Sequence, residues 1–332
     1  MSEKEVVTKK SILDSDNPVI QYVRRNGGII IGFFILCAII QFNTPQFLTW
    51  GNIISVLRQI STNLYLASAI TMILIAGGID LSAGAIVSLS SVVVATCLVN
   101  YGFSIPLSIA CAIVLGALVG FINGTIIYKT GLPPFIVTYS VQCICQGAAY
   151  VWTGAQPIRL TDKNFIFLGT GFVGGIIPMP LVYLFVILLF VWYVLNRTQL
   201  GRHIYAVGGN ERAAEFSGVN IKHVRWFVYT FSGVMAALAG IVLSARMYSG
   251  QPSVGADAAM DAIASVVLGG TSMGGGRGFI GGTIIGALLI GVMNNGLNLA
   301  GIDSYWQMVA KGIIILIAVY VDFVKQGRKL KK

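Results

Sequence analysis

Long apolar stretches without a charged residue dominate the chain. Seven segments contain no Asp, Glu, Lys or Arg, namely 26–57, 59–79, 81–128, 130–158, 164–196, 226–245 and 278–302. A helix needs about 20 apolar residues to cross the hydrocarbon core of a bilayer. The pattern therefore predicts an all-α, polytopic membrane protein. It excludes a transmembrane β-barrel, whose strands would appear as alternating segments of about 10 residues.

Glycine, proline and polar residues divide these stretches into about ten predicted membrane spans. The spans are about 27–43, 55–76, 83–99, 104–127, 134–153, 179–195, 226–245, 259–271, 278–298 and 305–322. Residues 1–25 are predicted to form a cytoplasmic tail, 26–324 the transmembrane domain and 325–332 a basic tail. The eighth span is short, and a re-entrant segment at that position would place the C-terminus on the opposite side.

The distribution of charge fixes the predicted orientation. Only 10% of the residues are charged and 56% are hydrophobic, whereas soluble domains have about 25% charged residues. Of the 22 Lys and Arg residues, 17 lie on the side of the N-terminus in the ten-span arrangement and three on the other side. Because cytoplasmic loops carry an excess of Lys and Arg, both termini are predicted to be cytoplasmic. The net charge of +10 thus reflects membrane orientation, not nucleic-acid binding.

A few ionisable and hydroxyl side chains lie within or beside the spans, where charge is costly and functional roles are the first hypothesis. Asp80 and Ser82 follow Gly77-Gly78 and either cap the next helix or form a gate that lines a polar cavity. Asp261 either caps the eighth span or faces the interior of the bundle. Lys311 either extends to the membrane surface or pairs with a carboxylate such as Asp261.

Uncharged amides in apolar helices form a second group of candidates. They either join helices together or line a route for a hydroxylated solute, and they are Asn294, Asn295, Asn298, Gln142 and Gln146. Together with Asp80, Ser82, Asp261 and Lys311, the three asparagines are the predicted pathway or gate residues.

Catalytic and cofactor motifs are absent from the sequence. There is no G-x-x-x-x-G-K-[ST] segment for nucleotide binding and no H-E-x-x-H metal motif. The five cysteines lie in apolar runs and are expected to be small buried residues. We therefore predict no catalytic residue, no metal ligand and no cofactor bound by this chain. A transporter driven by a partner, a secondary transporter coupled to an ion gradient and a membrane scaffold remain as hypotheses.

The longest polar loop, 196–224, contains a predicted short helix. Asn210 is a suitable N-cap, Glu211 suits the first turn, and Gly218 is a suitable end. This helix is predicted to present Ala213, Ala214 and Phe216 beside charged residues. Such a surface fits either a socket in a partner protein or the surface of the lipid.

The same loop carries a resemblance to a known family. The segments Gly208-Gly209-Asn210-Glu211, Ala213-Ala214 and Ser217-Gly218-Val219-Asn220 are similar to the cytoplasmic loop of permease subunits of bacterial ABC importers for ribose, xylose and galactose. These permeases are related more distantly to branched-chain amino acid permeases. Further matching segments are Gly77–Ser82, Asp261–Ala264 with Val267–Ser272 and Gly274–Gly276, and Asn294–Asn298 with Tyr305–Gln307.

The resemblance covers about residues 45–322 and implies a multi-pass protein of the bacterial inner membrane. It implies a homodimer of permeases, a cytoplasmic ATPase that uses ATP and Mg, and an extracytoplasmic sugar-binding protein. It also implies that the loop helix docks into the ATPase as a coupling helix. The residues assigned to that role are Asn210, Glu211, Ala213, Ala214, Phe216, Ser217 and Gly218. Ribose or a similar pentose is the favoured substrate.

A weak internal similarity relates two regions of the chain. The second and third spans and the eighth and ninth spans each consist of an apolar helix, a glycine-rich turn and a helix of small residues. Either a duplication of the kind found in transporters or biased composition explains this pattern.

Overall fold

The computed structural model describes residues 18–303, 305–313, 316 and 320. Within these residues the chain is mostly helical. The helices are α1 (Pro18–Asn43), α2 (Trp50–Ile75), α3 (Ala83–Val99), α4 (Ile105–Thr130), α5 (Pro134–Thr153), α6 (Lys163–Thr170), α7 (Met179–Arg197), α8 (Gln199–Gly209), α9 (Glu211–Phe216), α10 (Ile221–Arg246), α11 (Ala258–Leu268) and α12 (Ile280–Leu299). Residues 305–313 are also helical.

Helices occupy the positions of the predicted spans. Four of them are long and apolar enough to cross a membrane, namely α4, α7, α10 and α12. Most of residues 314–322 in the tenth predicted span lie outside the described residues, as do residues 1–17 and the basic tail 325–332. Helix α1 begins at Pro18, inside the predicted N-terminal tail 1–25.

Helix α2 lies at the centre of the bundle. Every residue from Leu64 to Ile75 is buried, and the helix packs against α7, α10, α11 and α12. Its polar residues lower its hydropathy, so it is not among the four apolar helices, yet its C-terminal half is fully enclosed. Helices α4, α5 and α7 instead expose large apolar side chains, as expected of helices that face lipid.

Glycines allow the closest helix contact, between α4 and α10. A Cβ on Gly116, Gly120 or Gly124 would lie under 3.0 Å from a backbone oxygen of α10. These three glycines are spaced four residues apart, which places them on one face of α4. Close backbone approach of this kind is the main source of helix packing in lipid, where no hydrophobic drive between helices exists.

The connections between the predicted spans contain elements that the sequence did not predict. Residues 154–178 contain α6 and short strands β1 (Ile158–Arg159), β2 (Phe172–Val173) and β3 (Ile177–Pro178). Strand β1 pairs antiparallel with β4 (Ser249–Gly250), and β2 with β3. In the loop 196–224, α8 precedes α9. These elements are too short or too polar to produce a span-length hydrophobic signal.

The two similar regions of the sequence end their first helices in the same way. After α2, Gly77 has φ 75° and the Gly78 amide donates to the Ile73 carbonyl. After α11, Gly270 has φ 86° and the Thr271 amide donates to the Val266 carbonyl. Both are Schellman-type ends, in which glycine adopts the left-handed conformation. The same ending also follows α5, α9 and α12, so it does not distinguish duplication from biased composition.

Candidate functional site

The predicted loop helix exists as α9 and is capped at both ends. The Asn210 side chain accepts a hydrogen bond from the Ala213 amide at 3.0 Å. At the other end, Gly218 has φ 82°, its amide donates to Glu215, and the Val219 amide donates to the Ala214 carbonyl. These contacts confirm the predicted cap and the predicted stop, and they fix the exit of the chain into α10.

Helix α9 presents one large apolar side chain to the outside. Phe216 is 93% exposed, and Ala213 and Ser217 are also exposed. Ala214 is buried against the rest of the chain, so the prediction that it belongs to the presented surface was wrong. Because α9 is short, one of its faces must contact α8 and α10, and Ala214 lies on that face. The exposed surface therefore consists of Phe216 with polar neighbours.

Asp80 is buried in the turn between α2 and α3 and receives three hydrogen bonds. Its Oδ1 accepts from the amide of Ser82 at 2.9 Å and from the Ser82 hydroxyl at 2.6 Å. Its Oδ2 accepts from the Ser232 hydroxyl of α10 at 2.7 Å. The Ser82 hydroxyl in turn accepts from the Asn123 amide of α4 at 2.8 Å.

The helix-cap interpretation is confirmed for Asp80 and wrong for Ser82. The Asp80 carboxylate accepts a hydrogen bond from the Ser82 backbone amide at the start of α3, whereas the Ser82 side chain makes no capping hydrogen bond. The hydroxyl of Ser82 and the carboxylate of Asp80 also bond to each other and to neighbouring helices. Since a buried carboxylate needs such donors, this cluster holds α3, α4 and α10 around the turn.

A second polar cluster joins α11, α12 and the helical segment 305–313. Lys311 Nζ lies 3.0 Å from Asp261 Oδ2, and the Asn294 amide donates to the same oxygen at 3.4 Å. The alternative in which Lys311 pairs with Asp261 is therefore confirmed, and Asp261 does not cap α11. Both side chains of the pair are about four-fifths buried.

The other two predicted asparagines join helices. Asn295 exchanges reciprocal amide hydrogen bonds with Asn52 of α2 at 2.8 and 2.9 Å. The Asn298 side chain accepts from Gln307 at 2.8 Å. On α5, the Gln146 amide donates to the Pro252 carbonyl. These contacts support the interpretation of Asn295, Asn298 and Gln146 as residues that hold helices together.

A cavity of about 280 Å³ lies beside Asp261, between α2, α10 and the start of α11. It lies away from the end of the bundle that carries α9, and polar side chains make up much of its wall. The lining residues are Gln59, Thr62, Asn63, Leu66, Ala239, Leu243, Ser253, Val254, Ala256, Asp257, Ala258 and Asp261. Sequence patterns did not single out Asn63 or Gln59, because α2 has no obvious apolar and polar face.

Asn63 is the most informative residue of this cavity. Its amide donates to the Ser265 hydroxyl at 2.9 Å, while its buried Oδ1 has no hydrogen-bond partner. A buried acceptor without a donor is costly. This oxygen is almost fully covered, so a hydroxyl group in the cavity would reach it only after a movement of neighbouring side chains. The Asp261 cluster borders this cavity, whereas the Asp80 cluster lies at the end of the bundle that carries α9.

In the part of the chain that the structure describes, no group of three or more His, Cys, Asp or Glu side chains is placed to hold a metal ion. All five cysteines are free thiols, and Cys143 is exposed rather than buried.

Comparison with known proteins identifies the family. The model of the branched-chain amino acid transport system permease component matches residues 52–319. The ribose import permease of Bacillus subtilis is 44% identical over 297 residues, which cover 89% of this chain and 92% of that protein. The ribose import permease of Escherichia coli K12 is 40% identical over 301 residues, covering 90% and 93%. No solved structure matches significantly.

The chain therefore belongs to the branched-chain amino acid transport system permease family. It is a transport component and a multi-pass protein of the bacterial inner membrane. A third relative, the galactose/methyl galactoside import permease of Escherichia coli K12, is 36% identical over 322 residues, covering 92% of this chain and 96% of that protein.

Proposed function

We propose that this chain is the membrane-spanning permease of an ATP-driven ABC importer that takes up a monosaccharide, with ribose or a similar pentose favoured. The observation that carries the proposal is the similarity over about 90% of the chain to two ribose import permeases. The galactose/methyl galactoside permease and a fructose permease of Rhizobium meliloti, 39% identical over 279 residues, extend the substrate class to other monosaccharides.

The exposed α9 is the proposed contact to the ATPase. Its Phe216 and adjoining polar residues form an anchor of the kind that fills a pocket in a partner. The chain has no nucleotide-binding motif, so the partner binds ATP and Mg. We also propose ten membrane spans, both termini in the cytoplasm and a homodimer of permeases, with the exposed apolar faces of α4, α5 and α7 facing lipid or the second copy.

In this orientation the cavity beside Asn63 opens toward the extracytoplasmic half of the bundle, where the binding protein releases the sugar. Ligand pockets combine apolar walls with a few polar groups that fix orientation, and this cavity has that composition. Asn63, Gln59 and Asp257 supply amide and carboxylate groups for sugar hydroxyls. Asp261, which forms an ion pair with Lys311, lies on one side of the cavity.

Reconstitution in liposomes tests the function directly. The chain, its ATPase and its binding protein should together accumulate labelled ribose in an ATP-dependent manner, and the chain alone should accumulate none. Fructose and galactose, each supplied with the matching binding protein, define the range of substrates. Accumulation by the chain alone under an ion gradient would instead establish the secondary-transport alternative.

The substitution Asn63→Leu tests the cavity. It keeps a similar side-chain volume but removes the unpaired amide oxygen, so we expect sugar uptake to fall about tenfold, the size expected for one lost hydrogen bond in a buried site. Co-purification of the ATPase should be unchanged. Leu243→Met on the opposite wall is the matched control and should retain uptake. Normal uptake by Asn63→Leu would show that the sugar does not pass this cavity.

A further inference from the structure

Helix α10 holds the turn between α2 and α3 through three side chains on one face. Arg225, Tyr229 and Ser232 are spaced at i, i+4 and i+7, which places them on the same side of a helix. Arg225 Nη1 donates to the Ala76 carbonyl at 3.2 Å. The Tyr229 hydroxyl donates to the Ile79 carbonyl at 3.3 Å, and Ser232 donates to Asp80.

Arg225 also reaches α9. Its Nη2 lies 3.0 Å from Glu211 Oε2, and the side chain of Arg225 is 8% exposed while that of Glu211 is 51% exposed. One guanidinium group therefore bonds to the proposed docking helix on one side and to the end of α2 on the other. Its planar fork of donors allows both contacts at once, which a lysine ammonium cannot reproduce in this geometry.

The electrostatics of the helix ends favour this arrangement. Ala76 is the C-cap residue of α2, where backbone carbonyls are unsatisfied and the helix end is partly negative. Glu211 lies in the first turn of α9, where the helix end is partly positive. Arg225 thus interacts with a negative group at each of the two helix ends.

The turn between α2 and α3, which Arg225 contacts, is packed so closely against its neighbours that it cannot move independently of them. A Cβ on Gly78 would lie under 3.0 Å from the Tyr229 hydroxyl, and a Cβ on Gly208 of α8 would lie under 3.0 Å from the Ile75 carbonyl. The Gly276 amide also donates to Ile75 at 2.8 Å. Backbone segments packed at this distance move together when one of them is displaced.

We propose that Arg225 is the positioning residue that transmits movement of α9 to the α2–α3 turn, and through it to the buried cluster around Asp80. This inference rests on the proposed role of α9 as the ATPase contact. A displacement of α9 pulls Glu211, Arg225 and the end of α2 together. The cluster of Asp80, Ser82 and Asn123 then changes the packing of α3 and α4 against α10.

The test uses the full transporter with its ATPase and binding protein. In Arg225→Met, ATPase co-purification and basal ATP hydrolysis should persist, while uptake should fall about tenfold or more, in the range of typical coupling between two sites. Hydrogen exchange of residues 76–82 should respond to ATP in the unmodified chain and lose that response in Arg225→Met. Arg225→Lys should recover only part of it.

A second variant distinguishes loss of coupling from a general folding defect. Glu211→Ala breaks the ion pair at its exposed end and should reproduce the uncoupling. Lys129→Met removes an exposed positive charge from the last turn of α4. It is the control for loss of a charge elsewhere and should behave like the unmodified chain.

Two results would overturn the proposal. One is an intact exchange response to ATP in Arg225→Met or Glu211→Ala, and the other is loss of ATPase binding in Arg225→Met, which would make Arg225 a docking residue. Hydrogen exchange at residues 76–82 is measured without sugar, so its response to ATP does not depend on which substrate is transported. Failure of the monosaccharide assignment is therefore distinguishable from failure of this inference.

Discussion

Replacement of Gly218 by proline is expected to abolish sugar uptake while leaving membrane insertion intact. Gly218 has φ 82°, whereas proline fixes φ near −65° and has no amide hydrogen to donate to Glu215. A proline at an incompatible position costs about 3 kcal/mol or more, which exceeds the stability of a one-turn helix. Helix α9 would lose its C-terminal stop, and Phe216 would no longer be presented in a fixed position.

The measurement compares ATP-dependent uptake and ATPase co-purification in Gly218→Pro and Gly218→Asn. Asparagine tolerates the left-handed conformation and keeps its amide hydrogen, so Gly218→Asn should retain most of the uptake. Equal uptake in the proline variant and the unmodified chain would reject the assignment of α9 as the coupling helix. Loss of membrane insertion in Gly218→Pro would show that Gly218 acts in folding instead.

The second large effect is expected from Lys311→Met. This change leaves the carboxylate of Asp261 without its partner in a position where both side chains are only 20% exposed. Removing one member of a buried ion pair costs about 3 to 5 kcal/mol, and partial exposure of this pair lowers that figure. We expect a lower melting temperature in detergent and a strong loss of uptake.

The double variant Lys311→Met with Asp261→Asn separates the charge from the position. It removes both charges, and the amide that replaces the carboxylate keeps a similar shape and can still accept from Asn294. Stability should therefore return toward that of the unmodified chain. Uptake that also returns would mean that the pair is structural. Restored stability without uptake would identify Asp261 as part of the sugar route.

Helix positions were predicted from the sequence more accurately than contacts. The span 83–99 coincides with α3, and 134–153 coincides with α5, because glycine, proline and polar residues mark where an apolar helix must end. Gly218 was identified as a stop for the same local reason. Helix α6 was missed because it has eight residues, too few to produce a membrane-span pattern.

The roles of the polar residues depended on contacts between distant parts of the chain. Asp80 bonds to Ser232, 152 positions later, and Asn52 bonds to Asn295 across 243 positions. Neither partner can be read from local spacing. Asp80 and Asp261 were both interpreted as possible helix caps. Only Asp80 accepts from a backbone amide at a helix start, and the structure places each residue in a cluster that joins several helices.

The amino-acid sequence by itself determined the helical membrane class, the positions of the helices and the capped loop helix with its exposed Phe216. These properties follow from hydropathy, turn residues and caps, which act over a few neighbouring positions. Only the tertiary structure decided that Arg225 links α9 to α2, that Lys311 pairs with Asp261, and that Asn63 lines a cavity and has a buried oxygen without a partner. A single sequence does not specify which side chains meet, because these contacts depend on how helices far apart in the chain pack together.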